Sequence, residues 1–288
     1  KCPRNRQTLL FSATWPEGVS QIGQKFLRDP REVKLTAQPN AAKIRQRWYE
    51  VTEDQRLHAV GLLLNHYRPG RTLAFCNTKQ QCRDLVAVLQ AQGIAALALH
   101  GDLEQRDRDQ VLIQFTNRSC PVLVATDVAA RGLDITGLEA VINVDVSPEA
   151  EMHIPRVGRT GRADAEGWAF SLASLDETGR VGRIGELQGR ATDFQPLDGL
   201  QPSGSGPLRA PMVTLQILGG RKEKIRAGDL LGALTGEGGL ASAQIGKINV
   251  NEFSTYVAVA RDIADQALRA LNDGKVKGKR VKARQLEG

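Results

Sequence analysis

Cysteine is scarce in this sequence. Four occur in 288 residues, and no two of Cys2, Cys76, Cys82 and Cys120 stand at the spacing of a zinc site. That excludes a small disulfide scaffold and a Cys-based metal centre, and the thiols read as reduced side chains of a cytosolic protein. Long apolar runs are missing too. Nothing approaches the roughly 18–20 residues that cross a bilayer, which excludes a membrane-spanning helix. No basic-then-apolar leader is seen after Lys1. Because Lys1 is not Met, the numbering need not begin where the gene does. A phosphate-gripping Gly-x-x-x-x-Gly-Lys-Ser/Thr loop is also absent. The Gly-Lys pairs starting at 246, 274 and 278 continue instead with Ile248, Val276 and Arg280.

What is present is ordinary for a folded chain. Charged residues are 25% and hydrophobic residues 41%, which excludes a disordered or collagen-like chain. The length suits about two domains. Lys and Arg total 39 against 32 Asp and Glu, a formal +7. The surplus is uneven: residues 210–288 hold 13 basic and 8 acidic residues (+5), and residues 1–209 hold 26 and 24 (+2). A local basic excess reads either as a surface for a polyanion such as nucleic acid or as a solvated face.

Residues 1–36 read strand, helix, strand: Thr8–Ser12, about Glu17–Leu27 and Glu32–Leu35. Residues 37–46 are polar, carry Pro39 and Asn40, and read as a linker. Residues 47–190 alternate. Thr72–Cys76, Ala95–Leu99, Pro121–Ala125, Val141–Val144 and Gly167–Leu172 are strand-like, and Gln80–Ala91 and Glu104–Phe115 have helical spacing. Such alternation predicts an α/β domain with a parallel sheet covered by helices on both faces. Residues 191–211, with Pro202-Ser203-Gly204-Ser205-Gly206-Pro207, read as a flexible linker. Residues 212–288 read β-α-β-β-α-β, a smaller α+β domain of the split βαβ kind used in RNA recognition. Its strands are Val213–Leu218, Ile245–Val250, Phe253–Val259 and Val281–Gln285. Its helices are about Ala227–Leu234 and Asp262–Leu271.

Two segments carry chemistry. Val124-Ala125-Thr126-Asp127 ends an apolar strand and leads to Ala130-Arg131-Gly132-Leu133-Asp134. Ligands of open α/β sheets sit beyond strand carboxyl ends, where Gly132 allows close approach and Asp134 can accept from ribose hydroxyls. The second segment, Arg156-Val157-Gly158-Arg159-Thr160-Gly161-Arg162, spaces arginines at i, i+3 and i+6, on one side of a helix. Guanidinium groups bind phosphate bidentately, or form surface ion pairs.

Taken in order, Ser12-Ala13-Thr14, Leu73-Ala74-Phe75-Cys76-Asn77-Thr78, His100-Gly101 with Gln105 and Arg108, Ala125–Asp134 and Gly158–Arg162 resemble the later motifs of the DEAD-box RNA helicases of superfamily 2. The resemblance covers about residues 6–175. Residues 212–288, with Gly219–Lys224, Gly228–Gly236, Ile245–Ile248 and Val276–Lys279, are similar to the C-terminal domain of DbpA-type helicases. The resemblance implies a tail of RecA-like domain 1 at residues 1–36, a whole RecA-like domain 2 at 47–190 and an RRM-like RNA-binding domain at 212–288. It implies ATP and Mg²⁺ as cofactors, gripped mainly by a preceding lobe, because this chain also lacks Asp-Glu-Ala-Asp. The chain alone is therefore expected not to hydrolyse ATP, and the apolar residues of 1–36 are expected to be exposed or loosely docked.

The resemblance also assigns roles. Arg159 and Arg162 are implied as catalytic arginine fingers, with Gly132 and Asp134 completing the ATP side. Asn77, Thr78, Gly101, Gln105, Arg108, Thr126 and Asp127 are implied to line the RNA groove, with N-capping as the other reading of Ser12, Thr78 and Asp127 and a surface salt bridge as that of Arg108. Ser12, Ala13 and Thr14 are implied to couple nucleotide state to closure. The family's usual His is Pro155 here. It costs a helix about 3 kcal/mol in mid-run but is tolerated near a helix start. Structured RNA, 23S rRNA and pre-50S ribosomal particles are the implied partners of a cytoplasmic monomer.

In the last domain Phe253, Thr255, Val257 and Val259 alternate as an inward face, with Ser254, Tyr256 and Ala258 as the other. Tyr256 is then the remaining base-stacking platform or a cover for the sheet. Arg221, Lys222, Lys224 and Arg226, with six basic and no acidic residues in Lys275–Arg284, are expected to carry more of the RNA binding. Two other readings stay open. One is a non-catalytic RNA-binding protein with a degenerate motor, favoured by Pro155. The other is a DNA translocase, disfavoured by the RNA-type last domain.

Overall fold

Strands that read as unbroken apolar runs need cover on both faces, and that is how they are used. The computed structural model describes residues 3, 5–11, 17–33, 43–133, 135, 137–161, 166–204 and 206–286, with 17–20 as backbone only. Residues 1–38 and 39–288 form two separate units.

In the first unit, Glu17–Phe26 forms helix α1. Leu9, Phe11, Ile22, Phe26 and Val33 are exposed, as expected, whereas Leu10, expected with them, is half-buried. The predicted strands at Thr8–Ser12 and Glu32–Leu35 are not formed at 8–11 or 32–33. A strand needs a neighbour for its backbone groups, and none of the described residues pairs with these.

The second unit opens with strand β1 (Ile44–Glu50), then α2 (Glu53–Tyr67), β2 (Thr72–Cys76), α3 (Lys79–Ala91), β3 (Ala96–Leu99), α4 (Gln105–Thr116), β4 (Val122–Thr126), α5 (Asp127–Ala130), β5 (Ala140–Asn143), α6 (His153–Val157), β6 (Gly167–Ala173), α7 (Thr178–Gln188) and β7 (Phe194–Gln195). These strands make an all-parallel sheet in the order β3-β4-β2-β5-β6-β1-β7. Alternate residues of each strand feed opposite faces. Ala74 and Cys76 pack with Leu63, Leu64, Leu85 and Leu89, whereas Leu73 and Phe75 pack with Phe115, Ala129 and Ile135. Cys76, Cys82 and Cys120 are buried free thiols, and Cys2 lies outside the described residues. Ile44–Gln46, expected in the linker, are the first residues of β1. Their polar side chains are explained by Arg45 lying over Trp168, 5.4 Å from its ring centroid, an arginine used as apolar cover.

The smaller domain contains β8 (Met212–Leu218), α8 (Ala227–Thr235), β9 (Ile245–Val250), β10 (Ser254–Ala260), α9 (Ala264–Asp273) and β11 (Ala283–Gln285). Its sheet is antiparallel in the order β11-β8-β10-β9. Val213, Leu215, Ile217, Val257 and Val259 pack on Leu230, Leu234, Ala267 and Leu271.

Phe253 departs from its expected inward placement, Tyr256 takes the covering role of its two readings, and the other sheet face is not open. It lies on α4 and the turn after it. Asn117 Nδ2 donates to Thr214 Oγ1 at 3.3 Å, and the Met212 amide donates to the Arg118 carbonyl at 3.3 Å. Ser119 and Thr214 share a hydroxyl–hydroxyl bond. Tyr256 is 3% exposed, and its hydroxyl accepts from Gln110 Nε2 at 3.3 Å and Gln216 Nε2 at 3.1 Å. Tyr256 therefore covers a domain junction and offers no free ring for a base. Phe253, expected inward, precedes β10 and is 66% exposed, with Lys222 Nζ 5.9 Å from its ring centroid.

The expected flexible linker is likewise packed. The Ser203 amide donates to the Asn65 carbonyl, and Arg68 donates to the Gly206 carbonyl at 3.1 Å. Leu200 and Leu208 enter the larger core. Two apolar side chains and a run of carbonyl acceptors give this Pro/Gly segment a groove on α2 to lie in.

Candidate nucleic-acid and nucleotide interface

The carboxyl ends of β2, β4 and β5 point to one side, and the sequence-selected loops gather there. Strand β4 stops at Thr126, whose hydroxyl accepts from the Ala129 amide at 3.4 Å and so caps the short helix α5. Thr78 does the same for α3, accepting from the Gln81 amide at 3.1 Å. Arg108 Nη2 donates to the Ala129 carbonyl at 2.7 Å, tying α4 to α5. Thr78, Gly101 and Gln105 are exposed, and Gln105 donates to Asp109. The Asn77 side chain is committed: its Nδ2 donates to the Val146 carbonyl at 3.0 Å and its Oδ1 accepts from Arg156 Nη2 at 3.1 Å.

The arginine series does not share one face. Helix α6 ends at Val157, and Gly158 turns the chain. Arg156 points inward and is 1% exposed. Its Nε and Nη2 grip both oxygens of Asp127 at 2.8 and 2.6 Å, and its Nη1 donates to the Asp145 carbonyl at 2.8 Å. The guanidinium also lies over Phe75, 5.2 Å from the ring centroid. The Asp127 carboxylate, expected on RNA, is thus held by a buried arginine. Arg159 lies at the rim, where Nη1 donates to the Leu133 carbonyl at 2.6 Å. Gly132, next to it, has a φ of +76°, and a Cβ there would meet nothing within 4 Å. The left-handed turn favours glycine, and the surrounding space is open. Ser12, Ala13, Thr14, Asp134 and Arg162 lie outside the described residues.

Sequence reasoning missed a second cluster behind this rim. Arg56, 1% exposed, donates to Glu177 at 2.8 Å, Ser174 at 3.2 Å and the Val144 carbonyl at 2.9 Å. Asp145 accepts from the Asn77 amide and Gln81 Nε2, each at 2.7 Å. Burial pushes its carboxyl above the usual range. A lone Arg amid the apolar α2 pattern was the available signal. Besides Glu53, one turn earlier, its partners lie some 90 to 120 residues away, so local periodicity could not reveal them.

Pro155 is the third residue of α6, which continues directly from a 3₁₀ turn at Ala150–Met152. His153, two residues before, stacks on Trp48 with ring centroids 5.1 Å apart. Neither ring nitrogen meets a hydrogen-bond partner among the described residues. Burial lowers its pKa from 6.5 to about 4. The unfolded chain therefore takes up a proton near pH 6.5 that the folded chain refuses until about pH 4. Stability from this group is complete above pH 6.5 and drains as pH falls toward 4. At pH 5 the loss is about 2 kcal/mol, at 1.36 kcal/mol per pKa unit. Urea midpoints at pH 7 and pH 5 should separate less for His153→Phe than for the unaltered chain. Equal separation would refute the assignment.

No group of three His, Cys, Asp or Glu side chains among the described residues is arranged to hold a metal. Also among the described residues, no helix is long and apolar enough to cross a membrane.

Comparison with known proteins agrees with this layout. Residues 55–164 match the helicase conserved C-terminal domain, and residues 214–285 match the DbpA RNA binding domain. The chain is 44% identical over 287 residues to the ATP-dependent RNA helicase DbpA of Escherichia coli, covering 99% of this chain and 62% of that protein. It is 41% identical over 197 residues to the ATP-dependent RNA helicase DBP2 of Saccharomyces cerevisiae, covering 67% of this chain and 36% of that protein. The chain thus spans less than two thirds of the length of either. Among solved structures it resembles E. coli DEAD-box protein SrmB bound to RraA, with TM-score 0.52 and 30% identity over 57% of this chain and 98% of that one. It also resembles S. cerevisiae Dbp5 bound to RNA and ADP BeF3, with TM-score 0.60 and 27% identity over 68% of this chain and 53% of that one.

Proposed function

Since the chain belongs to the DEAD-box RNA helicases, we propose that it is the C-terminal portion of an ATP-dependent, DbpA-type helicase that remodels structured ribosomal RNA. In this reading residues 1–36 are the tail of the first RecA-like lobe, the larger domain is the second lobe, and 23S rRNA within pre-50S particles is the target. The observation that carries it is Arg159 bonded to the Leu133 carbonyl beside the open Gly132 turn. Two segments far apart in sequence meet at one rim, with a permanent cation beside a glycine gap.

When a nucleotide-gripping lobe closes on that rim, Arg159 and Arg162 neutralise charge on the transferring phosphoryl group, and Gly132 and Asp134 meet the ribose. ATP and Mg²⁺ are used by the family and in this reading are gripped mainly by the preceding lobe. Thr78, Gly101 and Gln105 present the RNA-facing edge, and Arg156 with Asn77, Thr126 and Asp127 keeps that edge in shape. Ser12, Ala13 and Thr14 couple nucleotide state to closure.

RNA selection falls to Arg221, Lys222, Lys224 and Arg226, all exposed, with the basic stretch 275–284. Phosphate contacts weaken with salt by a slope of about 0.7–0.9 per phosphate neutralised. Arg221→Ala combined with Lys224→Ala should lower the slope of log affinity against log salt by about 1.5 for a structured RNA hairpin. A slope unchanged by the double substitution would contradict the assignment. The chain alone, assayed with RNA and ATP, should show no stimulated hydrolysis.

A further inference from the structure

Among the smaller domain's described residues, two large apolar side chains are left in solvent: Leu218 at 56% exposure and Phe253 at 66%. Phe253 sits in the turn 251–253 between β9 and β10. That turn is firmly held. The Asn251 amide donates to the Ser254 carbonyl at 2.8 Å, and the Arg221 and Lys222 amides donate to the Asn251 and Glu252 carbonyls at 2.9 and 3.0 Å. A Cβ on Gly220 would overlap the Asn251 carbonyl oxygen, so glycine is what lets the basic loop 219–226 approach this closely. The ring is carried on two turns braced against each other, and little further ordering is needed when something binds it.

Its surroundings are cationic. Lys222 Nζ stands 5.9 Å from the ring centroid, and Arg221, Lys224 and Arg226 of the same loop are exposed. Lys277 Nζ donates to the Lys224 carbonyl at 2.8 Å. That bond ties the basic turn 276–280 to the loop, so the two cationic segments form one edge. The nearby acids are engaged: Glu223 accepts from the Gly220 amide at 2.7 Å, and Glu252 and Asp229 face Lys222 and Lys277 at 3.2 and 3.8 Å. The hollow beside this edge, lined by Leu218, Ile225, Lys277 and Arg280, measures about 80 Å³. A small-ligand pocket takes roughly 300 Å³ or more, so a base finds room on the ring and not inside the domain.

A purely apolar partner would cover the ring but bury these cations without counter-charge. A fully paired RNA stem would match the cations but offer the ring no base face, since its bases are stacked on one another. An unpaired nucleotide satisfies both, with a flat π surface for the ring and phosphates for the cations. We propose that Phe253 is a base-stacking platform: one unpaired base of a structured RNA lies on its ring while Lys222 and its basic neighbours hold the flanking phosphates. The platform rests on the RNA-binding reading above and adds to it the feature selected, an unpaired base next to a stem. It supplies the aromatic contact that Tyr256, buried at the domain junction, does not offer.

The test uses the whole chain with Phe253→Ser, Phe253→Leu and Phe253→Tyr, and two probes: an RNA hairpin with an unpaired loop and a blunt duplex of its stem. Phe253→Ser should weaken hairpin binding about 5- to 150-fold, the equivalent of about 1–3 kcal/mol per stacked base at about 1.4 kcal/mol per tenfold. Duplex binding should be unchanged. The slope of log affinity against log salt should also hold, because no charge is removed; a loop that had come apart would lower both affinity and slope. Phe253→Tyr, which keeps the π face, should restore hairpin binding, and Phe253→Leu, which keeps only apolar bulk, should fall with Phe253→Ser. An unaltered hairpin affinity in Phe253→Ser, an equal loss on hairpin and duplex, or Phe253→Leu binding as well as Phe253→Tyr would each overturn the platform while leaving the RNA-binding reading in place. If the unaltered chain binds neither probe, that reading itself fails, and the platform with it.

Discussion

Arg159→Ala, placed in a two-lobed enzyme that carries a phosphate-gripping loop, is expected to slow RNA-stimulated ATP hydrolysis by about 10³–10⁵-fold. That corresponds to roughly 4–7 kcal/mol of transition-state stabilisation at 1.36 kcal/mol per decade. The size follows from where the charge acts. An exposed ion pair contributes about 0–1 kcal/mol, but a guanidinium facing a phosphoryl group in a closed, dry cleft acts at low effective dielectric and without reorganisation. The fold should notice far less. The bond from Arg159 to the Leu133 carbonyl is a rim contact worth about 1 kcal/mol. Steady-state ATPase, hairpin affinity and thermal midpoint, measured together, separate the effects. Turnover should collapse while affinity holds. Activity within tenfold of the unaltered enzyme would remove Arg159 from the catalytic machinery and, with it, the main support for the helicase reading.

Three residues earlier the same substitution should do the opposite. Arg156→Ala is expected to destabilise the larger domain by about 3–5 kcal/mol, the usual cost of breaking a buried ion pair from one side. It would strand the Asp127 carboxylate, the Asn77 Oδ1 and the Asp145 carbonyl, and it would uncover the Phe75 ring. Asp127 keeps some water contact, with a side chain 21% exposed, so the lower part of that range is expected. Urea unfolding gives the number, and a double-mutant cycle gives its origin. Adding Asp127→Asn to Arg156→Ala should cost at least 0.5 kcal/mol less than the two single changes summed, because groups in one network are coupled. Strict additivity would mean that Arg156 acts through packing on Phe75 and not through the carboxylate.

The contrast between these arginines explains where sequence reasoning succeeded. Strands β2 and β4 and helix α3 were legible to within a residue, because uninterrupted apolar runs and a 3.6-residue period are local properties. Helix α8 was found for the same reason. β1 was passed over because Arg45 and Arg47 break its apolar pattern, and only their stacking on Trp168 and Tyr67 makes them tolerable in a strand. Helix α7 was missed because Gly179, Gly182 and Gly185 dilute its propensity, although Val181 and Ile184 bury one face.

Charge, composition and motif order by themselves determined that this is an α/β chain followed by a small basic α+β domain, with a cation-bearing loop beside a glycine turn. Those are properties of neighbouring residues, and neighbours in sequence are enough to state them. Only the tertiary structure decided which arginine faces solvent and which holds Asp127, and that Tyr256 is spent on Gln110 and not free for a base. It also decided that a Pro/Gly segment lies packed along α2. Each of those outcomes depends on a partner tens of residues or more away, and the energy of burying or pairing a polar group exists only once that partner has been brought within hydrogen-bond reach.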